Sequence, residues 1–289
     1  MKPASFEYHR AHDVAEVVEL LVELGDDAKI IAGGQSLAPM MNFRLARPSA
    51  LVDVNPVSGL DYIRREGDLL RIGAMTRHRD VEISRDPEVH DGFAVLPRAA
   101  RWIGHYPIRC RGTVGGSMAH SDPTAEWCLL ALLHDASVVV QGPRGQRTVP
   151  VAEWFTGFLT TSGEYDEMVV ETQFARPRAY GALTEYARRR GDFAISAVGV
   201  AFDKVDNRLT DVSVVLGGVA GVPVRATEAE AMLEGSPATP ETWVAASRNA
   251  AASVNPPSDL NGDGDYRRQL VETLMQRAFV EALAEGARR

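Results

Sequence analysis

The chain has 289 residues, 45% of them hydrophobic, and a formal net charge of -8. That length can bury two or three modest cores and usually divides into domains, while the acidic balance gives no electrostatic reason to seek nucleic acid or an anionic membrane. No apolar run of about 18 residues offers a transmembrane helix, and the N-terminus lacks the apolar core of a secretory signal, so the expected location is the cytoplasm.

Residues 13–24 carry Val14, Val17, Val18, Leu21 and Leu24 at helical spacing, with Asp13 placed to cap the helix, Glu16 to complete a capping box and Gly25 to end it. A short buried strand over 29–32 runs into Gly33-Gly34, and 51–54 is a second strand. Residues 1–57 therefore read as a small α/β unit. Strands over 69–74, 137–141 and 168–174, with helices over 76–84, 92–102 and 126–134, give a second α/β unit over 58–176. Arg176-Pro177 marks a junction. Beyond it, strands over 195–202 and 212–217 suggest an antiparallel sheet, and helices follow over 226–233, 241–252 and 265–284. Residues 177–289 then form a third, α+β domain, and the chain as a whole is α+β.

Two glycine pairs carry the candidate chemistry. Ala32-Gly33-Gly34-Gln35-Ser36-Leu37 follows an apolar strand, and Thr113-Val114-Gly115-Gly116-Ser117 precedes Ala119-His120-Ser121-Asp122-Pro123. Adjacent glycines let a backbone turn tightly and approach a ligand closely, and successive N–H groups in such a turn form an anion nest. Hydroxyls flank both pairs, and Asp122 is able to accept from ribose hydroxyls. A plain tight turn is the alternative for either loop alone. Together they suggest two nests on one extended diphosphate ligand.

The familiar nucleotide motifs are missing: there is neither a G-x-x-x-x-G-K-[ST] loop nor a G-x-G-x-x-G turn after a strand. Asp259, Asn261, Asp263 and Gly264 imitate the start of a calcium loop, but Leu270 stands where the closing Glu belongs. The histidines are dispersed and no metal site is expected. Two cysteines, Cys110 and Cys128, are too few for an iron–sulfur cluster, so any such centre sits on another chain.

Taken with their neighbours, the loops resemble the FAD-binding medium subunit of molybdenum hydroxylases, the family of the carbon monoxide dehydrogenase medium chain and the xanthine dehydrogenase FAD-binding subunit. The resemblance is carried by AGGQSLAPMMNFRLARPSALVDVN from Ala32 to Asn55, IRCRGTVGGSMAHSDPTAE from Ile108 to Glu126, RRRGDFA from Arg188 to Ala194, and Asp265-Tyr266-Arg267-Arg268. It implies an FAD-binding part of the vanillyl-alcohol oxidase and p-cresol methylhydroxylase type, made of two subdomains over 1–57 and 58–176, with 177–289 covering the flavin end. Ala32, Gly33, Gly34, Gln35, Ser36 and Leu37 would wrap the diphosphate from one side and Thr113, Gly115, Gly116 and Ser117 from the other, with Asp122 near the ribose. Met168 and Phe193 match positions near the isoalloxazine; for Phe193, core packing is an equal alternative.

The implied role is electron transfer with no catalytic side chain of its own. Substrate would react at a molybdenum cofactor on a large partner subunit. Electrons would cross two 2Fe–2S clusters on a small partner subunit and reach this chain's FAD, which accepts them singly and releases them in pairs to an external acceptor. A dimer of heterotrimers is expected, and peripheral membrane association stays open. Three positions depart from relatives: Cys110 replaces a common Asn, Gln35 a His seen in some, and Glu185 a flavin-proximal Lys seen in some, which would stabilise a reduced, anionic flavin as a Glu would not. The alternatives are a stand-alone FAD-dependent oxidase or reductase of the vanillyl-alcohol oxidase type, which would turn over substrate by itself, and a non-catalytic module, which would purify without flavin.

Overall fold

The computed structural model describes residues 2–286. Strands β1 (Glu7–Arg10), β2 (Ala28–Ile31) and β3 (Ala50–Asp53) form a parallel sheet in the order β1-β3-β2. α1 (Val14–Leu24) is capped by Asp13 as its sequence suggested, Asp13 accepting the Glu16 N–H at 2.9 Å; the Glu16 side chain reaches one residue further back than a capping box requires, to the His12 N–H at 2.7 Å. Its stripe of Val17, Val18 and Leu21 is buried. α2 (Leu37–Asn42) starts directly after the first glycine loop. β1 went unread in the sequence because its four residues are mostly exposed and alternate no apolar face.

The second unit holds β4 (Ile63–Glu66), β5 (Leu69–Gly73), β6 (Ser137–Gly142), β7 (Gly145–Pro150), a small hairpin of β8 (Phe155–Gly157) and β9 (Thr160–Thr161), and β10 (Met168–Phe174). The sheet order is β4-β5-β10-β6-β7, antiparallel throughout. The expected alternation of strand and helix is present, but the strands do not run parallel: β4–β5 and β6–β7 are hairpins, turning at Gly67 and Gly145, both of positive φ. Seven short helices lie between the strands: α3 (His78–Ile83), α4 (Pro87–Phe93), α5 (Val95–Ala99), α6 (Tyr106–Arg109), α7 (Val114–His120), α8 (Glu126–Leu133) and α9 (Val151–Trp154). The helix expected over 92–102 is shorter, α5 over Val95–Ala99, and the chain kinks just before it at Gly92, which adopts φ 80° inside α4. The two units share an apolar core: Val17 and Leu21 of α1 pack with Val52, Val139, Met168 and Val170.

The third unit has the antiparallel sheet β11 (Tyr180–Tyr186), β12 (Ser196–Val205), β13 (Arg208–Gly217) and β14 (Val224–Arg225). One face packs on α10 (Thr227–Leu233), α11 (Pro240–Ala252) and α12 (Gly264–Gly286), with Trp243 stacked on Phe279 at 5.5 Å. The other receives α8, since Gly199 and Gly217 leave room for Leu133 and Leu129. Ion pairs tie the units at the Arg176-Pro177 junction. The buried Arg178 donates to the Leu133 carbonyl at 2.8 Å and to Asp211 at 2.9 Å, while Arg176 and Arg225 hold Asp135 at 2.5 and 2.6 Å. Charges withdrawn from water persist only when paired in this way.

Candidate functional site

The first glycine loop leaves the carboxyl end of β2. Gly34 has φ +70°, a conformation that costs an L side chain strain. Gly33 is buried for a different reason: a Cβ there would lie 2.2 Å from the Arg111 carbonyl oxygen, in the segment leading to the second loop. The two loops are therefore in backbone contact. Gln35 folds back so that its amide donates to the Gly33 carbonyl at 2.7 Å. Among the described residues, the N–H groups of Gly33, Gly34, Gln35 and Ser36 have no protein acceptor. Four consecutive unengaged donors in a tight turn make an anion nest, and the Ser36 hydroxyl adds a further donor without a partner among the described residues.

The second loop is built differently. It is the start of α7, capped by Thr113, whose hydroxyl accepts the Gly116 N–H at 3.1 Å. The Val114, Gly115 and Ser117 N–H groups donate to the carbonyls of Thr76, Ala74 and Thr113. A second free nest was expected here, and these bonds consume it. Gly115 is small because a Cβ would lie 2.5 Å from the Ala74 Cβ, so its glycine serves packing on the end of β5. Gly116 is exposed. What this loop offers outward is the Ser117 hydroxyl, which has no partner among the described residues; Thr113 is 2% exposed, and its oxygen accepts from Gly116 while its proton stays available to donate.

Behind the loops lies a buried imidazole. The Trp127 Nε1–H donates to His78 Nδ1 at 2.9 Å, and burial pushes the His78 imidazole down to about 3, so the ring is neutral with its proton on Nε2. Gly112 has no Cβ where this ring stands, 2.5 Å away. His78, Arg77 and Asn55 support the loops, yet nothing in their spacing flags them; only Asn55 falls within a quoted family motif.

The other expected site residues separate. Asp122 follows α7, and its Oδ1 accepts from the Thr124 N–H at 2.8 Å and hydroxyl at 2.7 Å. Phe193 is 63% exposed, in the turn after β11, where Gly191 rests against His105 of the segment before the second loop. Core packing does not account for it. Met168 is 3% exposed in the core shared by the first two units, and packing alone accounts for its burial. Asp259 bonds its own turn, and its second oxygen pairs with Arg267 at 2.8 Å.

A carboxyl pair also emerges. Glu185 on β11 is in register with Ala197 and, through it, Gly217, beside which α8 begins with Glu126. Burial, then repulsion from Glu126, pushes the Glu185 carboxyl up to about 8. Burial chiefly, with repulsion from Asp122 added, pushes Glu126 up to about 7. The pair therefore keeps a proton near neutral pH.

A nest of free amides flanked by hydroxyls, with no obligatory cation, suits a dinucleotide diphosphate. Residues 4–175, more than half of the chain, match the family described as the FAD binding domain in molybdopterin dehydrogenase. The chain belongs to this family. Residues 181–282 of the flavoprotein match the CO dehydrogenase flavoprotein C-terminal domain. The flavoprotein is 39% identical over 289 residues to the nicotine 6-hydroxylase medium subunit of Paenarthrobacter nicotinovorans, covering 100% of both chains. It is 37% identical over 290 residues to the carbon monoxide dehydrogenase medium chain of Hydrogenophaga pseudoflava, covering 99% of this chain and 100% of that one. Its structure resembles carbon monoxide dehydrogenase from Hydrogenophaga pseudoflava with a TM-score of 0.93 at 38% identity, over 98% of this chain and 99% of that one. It resembles quinoline 2-oxidoreductase from Pseudomonas putida 86 with a TM-score of 0.93 at 32% identity, over 99% of each chain. The flavoprotein is thus an oxidoreductase subunit with FAD as its cofactor, of the molybdenum hydroxylase type. The relatives are subunits of multi-subunit enzymes. No helix among the described residues is long and apolar enough to cross a membrane.

Proposed function

We propose that the chain grips FAD between subdomains 1–57 and 58–176, with domain 177–289 over the flavin end, and relays electrons from iron–sulfur clusters of a small partner subunit to an external acceptor. A large partner would carry the molybdenum cofactor, and the complex would be a dimer of heterotrimers in the cytoplasm. The observation that carries the reading is the run of four unengaged amides from Gly33 to Ser36, set against the backbone of the second loop.

When bound, FAD supplies the change from single-electron to two-electron transfer. The chain's own residues bind and orient. The Gly33, Gly34, Gln35 and Ser36 amides donate to the diphosphate, framed by Ala32 and Leu37. The hydroxyls of Ser36, Thr113 and Ser117 donate beside them. Gly116, exposed at the helix start, keeps side-chain bulk out of the groove while Gly115 seats that helix on the end of β5, and the second Asp122 oxygen is left to accept from the ribose. Phe193 is offered as an exposed aromatic face at the flavin end; Met168 is left out, being core. No residue here needs to act as nucleophile or general base.

The test is purification of the full chain from its native host under gentle anaerobic conditions. The expected result is one flavin per chain, with co-purification of one partner containing iron and sulfide and another containing molybdenum. A chain that stays colourless in excess FAD would overturn the cofactor site. Isolation with FAD but without metal-bearing partners, together with turnover of an alcohol by the chain alone, would favour a stand-alone oxidase.

A further inference from the structure

The two loops belong to different subdomains, so contact at Gly33 needs something to keep it closed. The side chains that do this form a single chain of hydrogen bonds behind the loops. The Asp53 carboxylate, buried at the end of β3, accepts from the Tyr8 hydroxyl at 2.5 Å and from the Asn55 N–H at 3.0 Å. The Asn55 amide nitrogen donates to the Ala32 carbonyl at 2.8 Å and to Asp53 at 2.5 Å, and its oxygen accepts from Arg77 Nη2 at 2.9 Å. Turned over, that amide would oppose N–H to N–H at Arg77 and oxygen to oxygen at Ala32 and Asp53, so its orientation is fixed by its neighbours. Arg77 Nη1 donates at 2.5 Å to the Arg111 carbonyl, the same oxygen on which Gly33 is seated. The Arg77 backbone meanwhile sits beside Thr113 in an isolated antiparallel bridge, with the His78 N–H donating to the Gly112 carbonyl at 3.1 Å and the Val114 N–H to Thr76 at 3.0 Å.

We propose that Arg77 and Asn55 are positioning residues that clip the first glycine loop to the second, and thereby set how tightly FAD is held. The inference rests on the FAD site proposed above. The planar guanidinium is needed because two acceptors on different subdomains must be reached at once, which a single ammonium cannot do with the same geometry. Asn55 is exposed and outside the apolar cores, so loss of its side chain removes the clip with little loss of packing.

The experiment titrates FAD into the full chain freed of flavin, for the wild type, Asn55→Ala, Arg77→Lys, Arg77→Met and the double variant N55A/R77M, and records the melting temperature of each apo chain. N55A and R77M are each expected to weaken FAD binding by about tenfold, as losing one charge-assisted hydrogen bond does. The double variant should lose little more than the worse single, because both break one connection. R77K should bind like R77M, and the apo melting temperature of N55A should stay near wild type. If Arg77 acted instead as a charge attracting the diphosphate, R77K would keep wild-type affinity and N55A would be silent; that pattern overturns the clip. Additive losses in the double variant overturn it too. Should R77M fail to fold, N55A against R77K still separates the two outcomes. A wild-type chain that fails to bind FAD overturns the site itself, whereas wild-type binding matched by every variant overturns the clip alone.

Discussion

Gly33→Ala probes the contact on which the proposed cofactor grip depends. The added methyl would lie 2.2 Å from the Arg111 carbonyl oxygen and 2.8 Å from the Arg111 carbonyl carbon and the Gly112 Cα, all of them backbone atoms. No rotamer change can relieve such a clash; to reach ordinary contact the two segments must part by about 1 Å, an overpacking that costs about 1–3 kcal/mol. Parting them turns the Gly33–Ser36 amides away from the second loop's hydroxyls. Losing one or two of those bonds to the diphosphate would weaken FAD binding by about 10–100-fold, at about 1.4 kcal/mol per factor of ten. Gly34→Ala is the internal comparison. Its methyl meets only the Ile31 side chain, at 3.4 Å, and the penalty is the positive φ, about 1 kcal/mol. Flavin titration of the FAD-free chain and calorimetry of both variants should rank G33A below G34A in affinity and in melting temperature. A G33A chain that matches wild type in both would refute the claim that the loops touch there.

Other consequences follow from the same structure. FAD at about 100 times its Kd should stabilise the chain by about 2.7 kcal/mol if it binds only the folded state; a melting temperature indifferent to FAD would contradict this. Because the folded Glu185 carboxyl is raised to about 8, the native state holds a proton that the unfolded chain gives up near its ordinary value of 4.5, so stability falls as pH rises from that value to about 8. Glu185→Gln should therefore raise the melting temperature at pH 8.5 by about 2–4 °C, a shift of about 1 kcal/mol for this chain length, and change it far less at pH 4.5; equal effects at both would refute the burial argument. Arg178→Met should cost about 2–4 kcal/mol in urea unfolding, since it strips the donor from the Leu133 carbonyl and from Asp211.

The sequence announced much of this fold where the physics is local. The stripe and Asp13 cap of α1, the strand from Met168 to Phe174 and the long last helix are short-range patterns, and they stand where they were expected. β1 and β4 are half-exposed strands held by pairing, with no apolar alternation to betray them. Strand direction in the second unit depends on which hairpins close, which the order of elements leaves open. The glycine pairs look alike in sequence but differ in use. Gly33-Gly34 leaves amides free, whereas Gly115-Gly116 opens a helix whose N–H groups find acceptors in Thr76, Ala74 and Thr113. Two of those acceptors, Thr76 and Ala74, lie about 40 residues upstream of the donors they meet, and no local reading could supply them. The same holds for Met168, whose burial is decided by α1 packing from far along the chain.

The seating of Gly33 on Arg111 also bears on how the polypeptide matures. A nascent chain has made residues 1–57 long before residue 111 leaves the ribosome, and until then the first turn has nothing to close against. With FAD at the proposed site, loading would be a late event that waits on long-range docking, and the vitamin-derived cofactor would act as a seal on a finished pair of subdomains. In riboflavin-starved cells the docked chain would lack its ligand's stabilisation, and a lowered melting temperature would be the earliest sign of it.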